Sequence, residues 1–272
     1  MRVGFIGLGS QGGPMARRIV EAGHPTTLWA RRPETLAAFA DTDATVAQSP
    51  AELAAASDLV CLCVVGDADV TQVVEGAEGV LSGSAGGGVI AVHSTIHPDT
   101  CREIAKIAAE KGVQVIDAPV SGGGHAAAEG RLLVMVGGET DTVERCRPVF
   151  DSYAGRVVHL GDLGAGQVAK LLNNLLFTAN LATAASTFTL GTELGIDPQR
   201  LGEFLSEGTA NSFALSTIAP LGGSLEILAA HASGLLRKDV GLIGDLADRA
   251  SAGRGAVVTA AETTLELMES LR

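Results

Sequence analysis

Along the chain, short runs of consecutive apolar and β-branched residues alternate with longer stretches in which apolar residues return every three or four positions. Arg2 to Ile6, Thr26 to Ala30, Leu59 to Val65, Val89 to Val92, Val113 to Asp117, Leu132 to Val136 and Val157 to His159 are of the first kind and predict strands. Pro14 to Ala22, stopped by Gly23, and Pro98 to Lys111 are of the second kind and predict helices. Such alternation is the sign of parallel strands joined by crossover helices, so the N-terminal part is expected to be an α/β, doubly wound sheet. After Gly164-Ala165-Gly166 no further strand is predicted, and helical patterns continue to the C-terminus. The expected organisation is an α/β domain over residues 1–161 and an all-helical domain over residues 162–272.

The helical part opens with Gln167 to Leu194, a stretch apolar nearly all round. That pattern suits a long helix covered by a second domain or a second subunit, which makes a homodimer or higher homo-oligomer the expected state. Leu171 to Leu190 is also the longest apolar run, but Asn173, Asn174, Asn180 and several Thr residues interrupt it, which points away from a membrane span.

Composition narrows the class of partner. The 272 residues are 46% hydrophobic, 18% charged and 3% aromatic, so a sizeable core must be packed mainly from small aliphatic side chains. A formal net charge of −12 opposes binding to nucleic acid or anionic lipid, both of which need clustered Lys and Arg. An anionic ligand must therefore be held by a local arrangement of donors. Cys61, Cys63, Cys101 and Cys146 lack metal-type spacing, and Cys61 and Cys63 fall on one face of a strand, where core packing is expected. The opening residues enter a strand pattern with no charged-then-apolar leader, from which a cytoplasmic, reducing location is expected.

Gly7-Leu8-Gly9-Ser10-Gln11-Gly12 stands between the first predicted strand and the first predicted helix, the context a dinucleotide-binding turn requires. Gly7 permits the tight turn, Gly9 lets the backbone approach a pyrophosphate and Gly12 lets the helix pack on the strand. The N-terminal domain is thus expected to be of the Rossmann type. After the second strand an NAD site usually has Asp or Glu for the ribose 2′-hydroxyl, whereas this chain reads Trp29-Ala30-Arg31-Arg32. A guanidinium suits the 2′-phosphate, so NADP(H) is the favoured cofactor, with NAD(H) accommodated. A solvated basic turn is the plain alternative for Arg31 and Arg32.

Three further segments carry chemistry. Asp117-Ala118-Pro119-Val120-Ser121-Gly122-Gly123 follows a strand and offers the Ser121 hydroxyl and the amides of Gly122 and Gly123 as a cradle for a carboxylate. Gly164-x-Gly166-x-x-x-Lys170-x-x-Asn173-Asn174 sets Lys170 and Asn174 four apart on one helix face. Lys238-Asp239 lies in the helical part. Ordinary readings stand beside these: a simple turn for Ser121 to Gly123, a packing amide for Asn174 and a helix-surface cation for Lys238. His93, His97 and His125 lack metal spacing, and no metal is expected.

Together the four segments resemble the β-hydroxyacid dehydrogenase family, which includes 3-hydroxyisobutyrate dehydrogenases and tartronate or succinic semialdehyde reductases, and the resemblance spans nearly the whole chain. It implies hydride exchange between NAD(P) and a small carboxylate-bearing hydroxyacid or its oxo form. It implies Lys170 as the catalytic acid and base, Asn174 as a substrate-orienting group and Lys238 beside the nicotinamide. It also points to Val64 and Val65 on the loop that passes the cofactor and to Thr95 of His93-Ser94-Thr95 near the nicotinamide. Gln11 stands where the family commonly has Met, and Ala30 where it commonly has Asn. Side chains for the far end of the substrate are expected from Thr209 to Phe213. The alternatives are an imine reductase-like NADPH enzyme, a 6-phosphogluconate dehydrogenase-like enzyme, for which the chain is short and acidic, and an NADP-binding protein without catalysis.

Overall fold

The runs Val3 to Ile6, Leu59 to Leu62 and Val89 to Val92 become strands in which every residue is buried, which is why they carry no polar side. β1 (Val3–Ile6), β2 (Thr26–Trp29), β3 (Thr45–Val46), β4 (Leu59–Leu62), β5 (Val89–Val92) and β6 (Gln114–Asp117) form one sheet in the order β3-β2-β1-β4-β5-β6. Every neighbouring pair is parallel. Val3, Phe5, Leu59, Cys61, Val89 and Ala91 face one core, whereas Ile6, Val60, Leu62, Ile90 and Val92 face another. A residue on either face is therefore removed from water, as a parallel sheet covered by crossover helices demands.

The structure, a computed structural model, describes residues 1–84 and 86–271. It separates into two compact units, Met1–Lys170 and Leu171–Arg272. In the first unit the crossovers are α1 (Gly12–Glu21), α2 (Pro50–Ala55), α3 (Asp67–Glu75), α4 (Val80–Gly83) and α5 (Pro98–Ala109), with a short 3-10 turn over Pro33–Phe39. Met15, Ala16 and Ile19 of α1 enter the first core; Val70 and Val74 of α3 and Cys101 and Ile104 of α5 enter the second. A second, three-stranded sheet follows, β7 (Val120–Ser121), β8 (Leu132–Val136) and β9 (Ala154–His159), with α6 (Gly123–Ala128) and α7 (Thr140–Phe150) between its strands. β3 and β7, two residues each, were not expected from the sequence, since so short a pairing leaves no apolar period to read. The strand expected to reach Val65 stops at Leu62, and the chain beyond it is held instead by the Val64 amide donating to Ser94 Oγ at 2.8 Å.

Burial accounts for the cysteines. Cys61, Cys101 and Cys146 are buried, and loss of solvation raises the Cys61 and Cys101 thiols far above their ordinary range and pushes Cys63 and Cys146 up to about 12. All four stay protonated and act as small apolar side chains. His93 is buried among Phe5, Phe150 and Tyr153, with ring centroids 5.7 to 6.4 Å away. Its Nδ1 lies 2.6 Å from the Ala118 carbonyl, which can only accept, so Nδ1 carries the hydrogen and Nε2 accepts from the Tyr153 hydroxyl at 3.2 Å.

α8 (Ala165–Glu193) begins in the first unit and contains the division between the two. In the second unit α9 (Pro198–Glu207), α10 (Phe213–Ile218), α11 (Glu226–His231), α12 (Ser233–Arg249) and α13 (Gly255–Ser270) follow. Leu171, Leu175 and Phe188 of α8 share a core with Leu215, Val240, Ala261 and Met268. Among the described residues of this unit there is no strand, in line with the helical pattern of its sequence. The uniformly apolar look of α8 has a second consequence: Leu172, Leu176 and Leu190 are exposed, at 51%, 55% and 55%. Among the described residues, no helix is long and apolar enough to cross a membrane.

Candidate active site

The sheet order reverses direction between β1 and β4, and ligands of open parallel sheets bind outside the strand ends at such a point. The glycine turn stands there. Gly7 adopts φ +103°, and a Cβ on it would lie 2.2 Å from the Cys63 carbonyl oxygen after β4. A Cβ at Gly12 would lie 2.0 Å from the Gly7 carbonyl, whereas one at Gly9 would meet nothing within 4 Å. The turn is thus packed tight at its two ends and open at its middle, just before the start of α1. The cavity it borders has a volume of about 370 Å³. Gly7, Leu8 and Gly9, Arg31 and Arg32 after β2, and Val64 and Val65 after β4 all line it. Ser10, Gln11 and Gly12 carry the turn into α1, and Thr95 follows β5; these four lie outside that lining. An open turn at the head of a helix and a cavity of this size with two arginines in its lining fit a dinucleotide.

The carboxylate-cradle segment lies directly against this turn. A Cβ on Gly124 would stand 2.3 Å from the Ser10 carbonyl oxygen, so α6 approaches the turn as closely as backbone allows. Ser121 is half-buried in β7, and Gly122 and Gly123, at the start of α6, adopt φ +129° and +74°.

At the other end of the same segment stands Asp117, fully buried. Its Oδ1 accepts from the Gly164 amide and its Oδ2 from the Gln167 amide, both at 2.6 Å, so it caps α8 one turn before Lys170. Gly166 is glycine because a Cβ there would lie 2.4 Å from the Met135 carbonyl and 2.8 Å from Asp117 Oδ2. Burial pushes the Asp117 carboxyl up to about 6, against the pull of the two amides and of Arg102. Gln167, also fully buried, ties the helix to the loop after β5: its Nε2 donates to Ser94 O at 2.7 Å and its Oε1 accepts from the Ile96 amide at 3.1 Å. Lys170 is half-buried on the helix held this way.

In the second unit Asn174, Lys238 and Asp239 form a cluster. Asn174 Nδ2 donates to Asp239 Oδ2 at 2.6 Å, and Lys238 Nζ lies 3.0 Å from Asp239 Oδ1. The five residues Thr209 to Phe213 are mostly exposed, with Phe213 at 78% and its ring 6.1 Å from that of Phe177.

The part played by four of these groups is not legible in the sequence. Asp117 stands in the sequence only as the head of a motif, although a lone carboxylate closing an apolar strand is the available signal. Gln167 gives no signal, being a polar position among many on a helix, and Asp239 stands there only as the neighbour of Lys238. Asp69 of α3 is the fourth: the end of β2 bears no carboxylate, yet Asp69 brings one to the same cavity, with its Oδ1 3.0 Å from Arg31 Nη1.

Comparison with known proteins agrees along the whole chain. Residues 2–161 match the model of the NAD-binding domain of 6-phosphogluconate dehydrogenase, and residues 164–271 match that of the NAD-binding domain of NADP-dependent 3-hydroxyisobutyrate dehydrogenase. The 3-hydroxyisobutyrate dehydrogenase of Pseudomonas aeruginosa is 34% identical over 247 residues, which are 88% of this chain and 83% of that one. The 2-(hydroxymethyl)glutarate dehydrogenase of Eubacterium barkeri is 34% identical over 243 residues, 89% of this chain and 81% of that one. Among solved structures, Mycobacterium tuberculosis 3-hydroxyisobutyrate dehydrogenase with L-serine superposes with a TM-score of 0.86 at 30% identity, covering 99% of this chain and 94% of that one.

Proposed function

The chain belongs to the β-hydroxyacid dehydrogenase family, and on that premise we propose that Lys170 moves the proton as a small β-hydroxyacid and its semialdehyde interconvert. That it is a dehydrogenase acting on the hydroxyl group of a hydroxy acid with a nicotinamide cofactor follows from its relatives. The choice of Lys170, of a short substrate and of NADP(H) as favoured cofactor is our reading.

One observation supports it most. The segment from Asp117 to Gly124 touches the other two motifs at its ends, capping the helix of Lys170 through Asp117 and abutting the cofactor turn at Ser10. When bound, the nicotinamide gives hydride to, or takes it from, the substrate carbon. Reduction leaves negative charge on the former carbonyl oxygen, which the Lys170 ammonium stabilises and then protonates; in oxidation the neutral amine takes the hydroxyl proton. Ser121 and the amides of Gly122 and Gly123 hold the substrate carboxylate. Asn174, one turn beyond Lys170, orients the substrate, and the Asp239 carboxylate holds its amide in place. Lys238 serves the cofactor, and Arg31 and Arg32 serve the 2′-phosphate.

The test is NADPH and NADH consumption against short aldehyde acids, among them the oxo form of 3-hydroxyisobutyrate, tartronate semialdehyde and succinic semialdehyde, with a cyclic imine for contrast. Turnover of at least one aldehyde acid, with the imine inert, is expected. Turnover of the imine alone, or of nothing, removes the assignment.

The second unit adds a partner to the reading. Leu172 and Leu190 are five helical turns apart on α8 and so lie along one line, with Leu176 a turn from the first. A stripe of half-exposed leucines on a helix already packed on its other side is what a second copy of the chain covers, and a homodimer or higher homo-oligomer is expected. Light scattering in solution should return at least twice the mass of one chain; a single-chain mass at micromolar concentration rejects this.

A further inference from the structure

The cavity beside the glycine turn holds a pair of opposite charges that a plain NADP site does not need. Arg31 Nη1 and Asp69 Oδ1 are 3.0 Å apart, and both residues line that cavity. They come from different elements, 38 residues apart: Arg31 follows β2, and Asp69 stands in the first turn of α3 after β4. The Arg31 side chain is 69% exposed and that of Asp69 25%, so the carboxylate is the fixed member and the guanidinium the one with room to swing. Asp67, two residues earlier, is committed to the fold, its Oδ1 accepting from the His97 amide at 2.9 Å and from Thr100 Oγ1 at 2.7 Å. For Asp69 the structure gives Arg31 as partner.

The geometry points to Asp69 as the residue that sets the balance between NADP(H) and NAD(H), an inference that rests on Arg31 being the ligand of the 2′-phosphate. A 2′-phosphate must either share Arg31 with Asp69 or draw it away, and in both cases it lies near a carboxylate, which weakens the phosphorylated cofactor. A 2′-hydroxyl makes no such demand. The ion pair stays, and Oδ2 of Asp69 accepts from the hydroxyl, the contact a carboxylate at the end of β2 makes in NAD sites. The pair therefore narrows the preference that Arg31 alone would impose and lets one cavity take either cofactor.

Binding can be read without any substrate, because the one tryptophan of the chain, Trp29, lines the same cavity and its emission is expected to be quenched by energy transfer to a bound reduced nicotinamide. Dissociation constants for NADPH and NADH are measured for the parent chain, for Asp69→Asn and Asp69→Ala, and for Arg31→Ala. Asp69→Asn keeps the shape and one acceptor oxygen, replaces the other with a donor and removes the charge, and Asp69→Ala removes both acceptors with it, giving a second readout should the amide disturb α3. In both Asp69 variants the NADPH-over-NADH preference is expected to rise about tenfold, the effect of one partly screened charge. In Arg31→Ala it is expected to fall by a similar factor. A preference within about threefold of the parent in both Asp69 variants, with Arg31→Ala still lowering it, overturns the inference and leaves the Arg31 reading standing. If Arg31→Ala also leaves the preference unchanged, the 2′-phosphate reading has failed and this inference falls with it.

Discussion

Lys170→Met is expected to lower turnover by about 10²–10⁴-fold, the range of general acid–base catalysis, while NADPH affinity read from Trp29 stays within about twofold. Methionine keeps the length of the side chain and the helix propensity of the position, so α8 has no reason to change. What it lacks is an ammonium to meet the charge that builds on the carbonyl oxygen and a proton to give it. The hydride donor and the carboxylate cradle remain, so the loss should fall on turnover rather than on KM. Single-turnover oxidation of NADPH with the best aldehyde acid measures the chemical step directly. Turnover close to that of the parent enzyme removes Lys170 from the mechanism and leaves a bound water as the proton donor.

The parts of this site that lie in sequence order were legible and those that depend on approach in space were not. Gly7, Gly9 and Gly12 announce themselves because a turn, an open middle and a tight helix start each require glycine at a fixed offset. β1, β4 and β5 announce themselves because a strand covered on both faces has no polar position to confuse the reading. The short β3 and β7 are stabilised by their neighbours in the sheet rather than by any pattern of their own. Asp69 illustrates the harder case. The cofactor loop of Val64 and Val65 lies just before it, yet no motif includes it, and it reaches Arg31 only because β4 and β2 flank β1 and α3 follows β4. Gln167 and Asp117 are hidden differently, since each serves the site by fixing the start of α8 and neither carries a motif chemistry of its own.

Removing the Asp117 side chain should be the most costly substitution for stability that the site offers. Asp117→Ala leaves the buried amides of Gly164 and Gln167 without acceptors, at about 1–3 kcal/mol each, a large share of the roughly 5–15 kcal/mol that holds a domain folded. Because those amides begin the helix of Lys170, the turnover of whatever folds should fall at least about tenfold, and Asp117→Asn, which keeps one acceptor, should recover part of it. The acid dependence gives a sharper reading. The Asp117 carboxyl is raised from 3.8 to about 6 by burial, so the folded chain holds a proton that the unfolded chain releases; its contribution to stability is present below about pH 4 and lost as the pH rises through 6. His93 is lowered from 6.5 to about 4 by burial, partly offset by its bond to Ala118, so its contribution is present above pH 6.5 and lost as the pH falls towards 4. Each amounts to about 3 kcal/mol, and over pH 4 to 6 they run in opposite directions. In the parent chain these two groups therefore nearly cancel. In Asp117→Asn only the histidine titrates, and the variant should lose about 3 kcal/mol relative to the parent as the pH falls from 6.5 to 4. Urea midpoints at those two pH values measure the difference; parallel curves for parent and variant would mean that Asp117 is already charged throughout, held so by its two amides against the cost of burial.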